Sequence, residues 1–481
     1  MRDRRGPEGL RVGMVDRTPD GFRAVHFVGV GGSGMSPLAE ILLRQGVKVS
    51  GSDVKASAVT AHLESLGLVF YQGHAPSHVG RVDAVVRSSA VRTTNPEIAE
   101  AERRGIPVLL RGQLLADLMA PRQGVAIGGA HGKTTTTAMV GLVLDRAGLD
   151  PTVVIGGRFA AFGSHARVGA GPLLVAEADE SDRSFLLLRP QVAVVTNIDQ
   201  EHLESYRDFD GLVEAFERFA EAVPSTGTAV LCVDDPHLRA IAGRTTARVV
   251  TYGLDEPSAL LGARDVHLEG YGSRATIVRR TAGGDAVLGP LSLGVPGRHN
   301  VANALAAIGV ALELNVPFER ASAALAQFRG AERRFERKGE AGGVVVIDDY
   351  GHHPTEIQAV LEAARATGVQ RIVCVFQPHR YTRTAHLLDQ FGPALAVADE
   401  IVLTDIYPAG EDPIPGVTIE RLAAAVEQFA PGRVRVVKGL ADLPSEVASL
   451  ARAGDMVITL GAGSINTIGP RILEEIRACR P

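Results

Sequence analysis

The chain has 481 residues, a length that argues for about three domains, each long enough to bury a core, and excludes a single small module. With 45% hydrophobic and 22% charged residues, 54 Gly and 26 Pro, it has the composition of ordinary globular protein, not of a disordered chain. A net charge of -5 excludes a global positive field for nucleic acid or an anionic membrane surface, so any anionic ligand must be met by local groups. Three cysteines, Cys232, Cys374 and Cys479, lie far apart without metal-ligand spacing. They point to a reducing, cytoplasmic setting and away from a disulfide framework or zinc ribbon. No run approaches 18 apolar residues and the N-terminus is charged, so neither a signal peptide nor membrane insertion is expected.

Residues 1–22 read as a flexible extension, because apolar periodicity starts only at Val25. From there VHFVGV predicts a strand, Met35 to Gln45 a helix, and VKVSGSD the next strand. The same strand, glycine turn and helix restart at Gly124 with VAIGGAHGKTTTT, and again near residue 344 with VVVIDDYGHHPTE. Strands alternating with helices imply parallel sheets, and three such openings divide the chain into three α/β domains, 23–122, 123–330 and 331–481. Between about 225 and 295 the segments LCV, RVVTYG and RATIVRR predict a β excursion inside the central domain.

In chain order, the first chemical signal is Gly29, Gly31 and Gly34 between strand and helix, with Asp53 at the end of the next strand, 24 residues on from the first glycine. That spacing fits a diphosphate or ribose at a helix N-terminus and leaves NAD, FAD and a nucleotide diphosphate sugar all open. The strongest signal is Gly128, Gly129, Ala130, His131, Gly132, Lys133, Thr134, Thr135. It is one residue shorter than the usual phosphate loop, yet its backbone N–H groups can cradle phosphates, Lys133 can reach the terminal ones, and the Thr134 hydroxyl can ligate Mg²⁺.

VAEADESD and TNIDQEH then supply Glu177, Asp179, Glu180 and Asp182, and Asp199, Glu201 and His202. If Lys133 and Thr134 bind ATP, one carboxylate and one imidazole among these are the expected cation ligands. Taken individually, Glu180 and Asp182 read as solvated loop acids. His352 and His353 lack the spacing of a helical zinc site and read as loop or substrate-facing residues. Asn303 lies in an Ala-rich helix, where a polar face and a ligand contact are equally open, and Arg380 and Arg383, three apart, could share a helical face suited to a carboxylate or phosphate.

Together, HFVGVGGSGMS, GGAHGKTTTT, AEADESD, TNIDQEH, PGRHNVANALAA, ERRFE and DDYGHHPTE, in this order and over about residues 25–472, resemble the Mur ligases of peptidoglycan synthesis. The resemblance implies an N-terminal Rossmann-like UDP-binding domain, a central P-loop ATPase-type domain, and a C-terminal Rossmann-like domain for amino acid and nucleotide. DDYGHHPTE, FQPHRYTRT and DIYPAGE look most like the members that join L-alanine to UDP-N-acetylmuramate with ATP, Mg²⁺ or alternatively Mn²⁺, in the cytoplasm, as monomer or homodimer. Two alternatives are a ligase that recycles a tripeptide onto the same acceptor and a non-catalytic nucleotide-binding regulator.

Residue by residue, the resemblance implies catalytic roles for Lys133, Glu177, His202 and Arg334. It implies ATP contacts at Gly129, Ala130, His131, Gly132, Lys133, Thr134, Thr135, Asn300, Asn303, Arg334 and Asp349, and cation ligation by Thr134, Glu177 and His202. UDP contacts are implied at Gly29, Gly31, Gly32, Ser33, Gly34, Asp53 and Ser89, and amino-acid contacts at His353, Arg380 and Arg383. The chain departs from the family pattern at Ala130, where Thr is usual, at Glu201, where Asp precedes the histidine, at Gly112 and Gln113, and at Ser464. The stretch 203–222 contains no Lys, so the carbamylated lysine of some sister ligases is absent there.

Overall fold

In the computed structural model, which describes residues 21–479 except Ser89, Ala160 and Ala282, the expected extension lies almost wholly outside the described residues. The chain divides into two compact units, one reaching to Pro121 and including 165–168, the other formed by Arg122–Ser164 and the residues from Gly169 on.

The first unit is built on a five-stranded parallel sheet in the order Val69–Gln72, Lys48–Asp53, Ala24–Val28, Ala84–Arg87, Val108–Leu110. Its first strand is central because the chain winds outward to one side and then returns to the other. That reversal puts the topological switch point beside the first strand's carboxyl end, where a crevice forms. The glycine turn 29–34 sits there and leads into helix Ser36–Arg44, within a residue of the predicted helix at each end.

The second unit carries two sheets. The first runs Thr152–Phe159, Leu173–Glu177, Gln123–Gly128, Val192–Val195, Thr228–Cys232 and Val249–Tyr252, all parallel. An antiparallel ribbon, Leu261–Glu269, Gly272–Thr281 and Gly284–Leu293, extends it. The expected β excursion therefore exists, but it starts at Leu261; LCV and RVVTYG contribute to the parallel part. Gln123–Gly128 is central and leads through its glycine turn into helix Lys133–Arg146, which is buried from Thr134 to Leu144. Burying each Leu or Val along it contributes about 1.5–3 kcal/mol and fixes the helix N-terminus against the sheet.

The second sheet of this unit runs Glu336–Ala341, Val344–Asp349, Asp455–Leu460, Arg371–Phe376, Glu400–Leu403, Val434–Val436, parallel except for its first hairpin. Alternate residues serve two cores: Ile372, Cys374 and Phe376 face one layer of helices, Val373 and Val375 the other. Cys374 is fully buried and burial pushes its thiol far up, while burial pushes the Cys232 thiol up to about 12, so the thiolate is disfavoured at both. Among the described residues, no helix is long and apolar enough to cross a membrane.

Candidate active site

Each glycine turn is shaped by contacts that its side-chain-free positions permit. In the first unit Gly29 has φ +82°, and the Gly31 N–H donates to Asp53 Oδ2 at 2.9 Å. Asp53 therefore braces the turn from the neighbouring strand, while Gly32 and Ser33 are exposed and Gly34 lies against Arg111. Ser89 lies outside the described residues.

In the second unit the turn is held more tightly. Gly129 has φ +127°, and a Cβ there would stand 2.0 Å from Thr196 Oγ1, so only glycine fits. Thr196 and Asn197 clamp the loop: the Thr196 hydroxyl donates to the His131 carbonyl at 2.6 Å, and the His131 N–H donates to Asn197 Oδ1 at 2.8 Å. Gly132, at φ +83°, caps the helix.

Lys133 Nζ donates to the Gly129 and Ala130 carbonyls at 2.5 and 3.0 Å and to Glu180 Oε1 at 2.8 Å. Burial opposes the charge on this lysine, but Glu180, Asp179 and Glu177 outweigh it and hold the ammonium above its usual range. Glu180 is 2% exposed, and its other oxygen has no hydrogen-bond partner. The expectation of a solvated acid thus fails at Glu180, because its loop folds back over the lysine.

Thr134 Oγ1 donates to Glu177 Oε2 at 3.3 Å, and Glu177 Oε1 accepts the Gly156 N–H at 2.6 Å. Burial pushes the Glu177 carboxyl up. Hydroxyl and carboxylate oxygens around an electrostatically strained buried acid are the donor set of a hard divalent cation, so these residues fit Mg²⁺. His202 is oriented otherwise: its backbone has φ +56°, and its ring lies 3.5 Å from both Glu201 Oε2 and Glu204 Oε1. Burial opposes its protonation, and the Glu204 and Glu201 carboxylates reverse that, raising its pKa.

Beside the loop lies a cavity of about 440 Å³ lined by Gly132, Thr135, Asn300, Asn303, Arg334 and Asp349, among others. Asn303, buried in helix Arg298–Glu313, accepts from the Thr136 hydroxyl at 3.2 Å and donates to Asn300 Oδ1 at 3.4 Å. It therefore belongs to the cavity wall, not to a solvated helix face. Asp349 accepts the Phe335 and Gly351 N–H groups at 2.7 Å each, and burial, partly offset by Arg334, lifts its pKa to about 6. Arg334 stacks over Tyr350 and lies 3.8 Å from Glu356.

His131 extends the loop's reach. Burial works against its charge, yet Asp199 at 2.9 Å and Glu356 at 3.3 Å keep the imidazole protonated, with a pKa raised to about 10. His353 joins this group, its ring 4.9 Å from that of His131 and its Nδ1 3.5 Å from Asp199 Oδ2. Its neighbour His352 points the other way: the His352 ring packs 5.5 Å from His379, and His379 Nδ1 lies 3.2 Å from Arg383 Nη1.

The arginines themselves do not share one helical face. Arg383 lies in helix Tyr381–His386, whereas Arg380 precedes it at φ +72°. They converge on carboxylates instead, Arg383 on Glu201 and Arg380 on Glu204. Glu356 escaped the sequence reading although it stands three residues after His353, where its carboxylate accepts the His352 and His353 N–H groups in a capping box.

Known proteins resemble this chain over more than nine-tenths of its length. Residues 24–123 match the model of the Mur ligase family catalytic domain, 127–311 that of the Mur ligase middle domain, and 333–463 that of the Mur ligase glutamate ligase domain. A UDP-N-acetylmuramate–L-alanine ligase from Sorangium cellulosum is 51% identical over 447 residues, 92% of this chain and 94% of the relative. The enzyme of that name from Syntrophus aciditrophicus is 47% identical over 455 residues, 95% and 94% of the two chains. Among solved structures, the UDP-N-acetylmuramate-alanine ligase of Thermotoga maritima superposes with a TM-score of 0.80 at 29% identity, covering 95% of this chain and 99% of that one. A murein peptide ligase from Psychrobacter arcticus shares the fold at a TM-score of 0.70 and 24% identity. With three consecutive domain models matched and relatives near half identity end to end, the chain belongs to the Mur ligase family.

Proposed function

We infer that the chain is an ATP-dependent amide ligase that joins L-alanine to the carboxylate of UDP-N-acetylmuramate in peptidoglycan precursor synthesis. The observation that carries the reading is the pairing of a lysine-bearing phosphate loop with an adjoining cavity of about 440 Å³, large enough for a nucleoside. Relatives of that name at 47–51% identity over nearly the full length support the same substrates.

A carboxylate is a poor acyl electrophile, so amide formation in water needs activation. The muramate carboxylate attacks the γ-phosphate of ATP and displaces ADP, the alanine amine attacks the acyl phosphate, and inorganic phosphate leaves. No covalent enzyme nucleophile is required; the protein positions the reactants and neutralises charge. Lys133 exchanges its Glu180 contact for the phosphates and compensates the charge that develops as the phosphoryl group moves. Asn300, Asn303, Arg334 and Asp349 hold the nucleoside, with Asp349 accepting from a hydroxyl. Thr134 and Glu177, joined by His202, would hold Mg²⁺, which when bound supplies charge neutralisation on the phosphates. Gly29 to Gly34 receive the UDP diphosphate, with Asp53 among the contacts of the UDP substrate, and Arg380 and Arg383 receive the alanine carboxylate. Domain limits near 122 and 330, a cytoplasmic location and a monomeric or homodimeric state belong to the same proposal.

The test is phosphate release from ATP and Mg²⁺ with UDP-N-acetylmuramate, comparing L-alanine, the tripeptide L-Ala-γ-D-Glu-meso-diaminopimelate and no acceptor. Release that requires L-alanine, with UDP-N-acetylmuramoyl-L-alanine as product, is expected. Preference for the tripeptide would make the chain a recycling ligase, and no release with either would make it a nucleotide-binding regulator.

A further inference from the structure

The two arginines assigned to the acceptor's carboxylate are already engaged by carboxylates of this chain. Arg383 grips Glu201 with two bonds, Nε to Oε1 at 3.2 Å and Nη2 to Oε2 at 2.8 Å, in the two-pronged geometry that a guanidinium offers to a single carboxylate. Both partners are nearly buried, Arg383 at 10% and Glu201 at 6% exposure, so water does little to weaken the pair. Arg380 Nη1 reaches Glu204 Oε1 at 3.0 Å. All four line a second cavity, of about 220 Å³, together with His202.

The acids are not independent of each other. Glu201, His202 and Glu204 lie within four residues of chain, and the imidazole stands between the two carboxylates at 3.5 Å from each. His202 also holds a left-handed backbone conformation that a side chain disfavours, so the segment is held by these contacts against its own local preference.

We propose that Glu201 is an internal stand-in for the amino-acid carboxylate: it occupies the Arg383 fork in the empty enzyme and must withdraw before the acceptor can bind. A fork that accepts one carboxylate cannot hold two, so Glu201 and L-alanine compete for the same donors. Because His202 shares the segment, its engagement at a nucleotide-loaded site pulls Glu201 and Glu204 away together and opens the carboxylate site only after ATP has arrived. The device keeps a buried guanidinium from standing unpaired, and it makes acceptor affinity depend on the first substrate. It rests on the reading of Arg383 as the acceptor's carboxylate partner.

The test measures L-alanine binding to the full chain by calorimetry, without nucleotide and again with a non-hydrolysable ATP analogue and UDP-N-acetylmuramate. Glu201→Gln keeps the shape and removes the charge. It is expected to bind L-alanine at least about tenfold more tightly than the unmodified chain when nucleotide is absent, and within about twofold of it when nucleotide is present. In steady state, where ATP is present, its KM for L-alanine stays within about twofold and kcat does not rise. Glu201→Asp, which keeps the charge on a shorter stem, falls between the two, and thermal melting checks that each variant is folded.

Unchanged nucleotide-free affinity in Glu201→Gln would overturn the proposal, and a raised KM would show that Glu201 aims Arg383 for the substrate instead of competing with it. Arg383→Ala separates the two levels of the argument. If it leaves the KM for L-alanine unaltered, the assignment of the acceptor site falls; if it raises that KM while Glu201→Gln gains nothing, only the competition falls.

Discussion

The two glycine turns share one plan and differ in what enters them. In both, an apolar strand from the middle of a sheet ends at a glycine with positive φ, Gly29 in one and Gly129 in the other, and passes into a helix. At the first, the group facing the backbone N–H of Gly31 is the chain's own Asp53, and the next positions, Gly32 and Ser33, are exposed. At the second, a lysine stands in the mouth of the turn, paired with a buried glutamate, with a cavity beside it. Backbone alone can bind a diphosphate. Moving a phosphoryl group takes a cation that can follow the charge, and the second turn carries one within its own loop, Lys133.

The sharpest way to break that contrast is to exchange damage between the turns. Lys133→Ala is expected to lower turnover about 10³-fold while leaving UDP-N-acetylmuramate binding, measured by calorimetry without ATP, within about twofold of normal. Asp53→Ala should do the reverse, raising the KM for UDP-N-acetylmuramate and sparing that for ATP. If either variant affected both substrates alike, the division of labour would be wrong.

Glycine itself sharpens the comparison. Gly129→Ala forces a residue to φ +127° and drives its Cβ to 2.0 Å from Thr196 Oγ1, so denaturant unfolding should lose about 3 kcal/mol or more, with ATP binding lost alongside. At Gly31 no positive φ is required and the new Cβ would meet the Asp53 carboxylate at 3.0 Å and the Thr60 methyl at 3.3 Å. Gly31→Ala should therefore lose about 1 kcal/mol. Equal losses would mean that the two turns are under the same constraint after all.

What the sequence revealed followed the range over which each feature is encoded. The phosphate loop, Thr134 and the Gly29 to Asp53 spacing were legible because a turn and the adjoining strand end lie within a few dozen residues. Glu180 was misread because its burial depends on a loop returning over Lys133, and no local pattern carries that. His353 and His352 are neighbours in sequence, yet the capping box that starts helix Pro354–Ala366 turns one toward His131 and the other toward His379. Arg380 and Arg383 looked like a helical pair because their spacing is helical, but the helix begins only after Arg380. The acids that hold them, Glu201 and Glu204, come from a different sheet's loop, a tertiary fact that spacing does not express.

The remaining expected effects concern pH, and they separate the units. In the first unit Glu97 is buried near His26, His74 and His78 and bonded to Ser52. Burial alone would raise its pKa, but the nearby His26 imidazole and hydrogen bonds with Ser52 and His78 outweigh it and lower the value from 4.5 to about 2. A depressed carboxylate adds stability that is present above its unfolded value and lost as pH falls through the folded one, so this unit should weaken between about pH 4.5 and 2. In the second unit His131 runs the other way. Its pKa rises from 6.5 to about 10, so its contribution is complete below pH 6.5 and disappears as pH climbs through 10. Hydrogen exchange resolved by peptide can follow the units separately. Glu97→Gln should cost the first unit about 1–3 kcal/mol at neutral pH and flatten its acid limb. His131→Gln should flatten the alkaline limb in the second unit and leave protection of the first unchanged. An alkaline loss shared by both units, or one that survives His131→Gln, would place the responsible group elsewhere and remove the imidazole from the phosphate loop's charge balance.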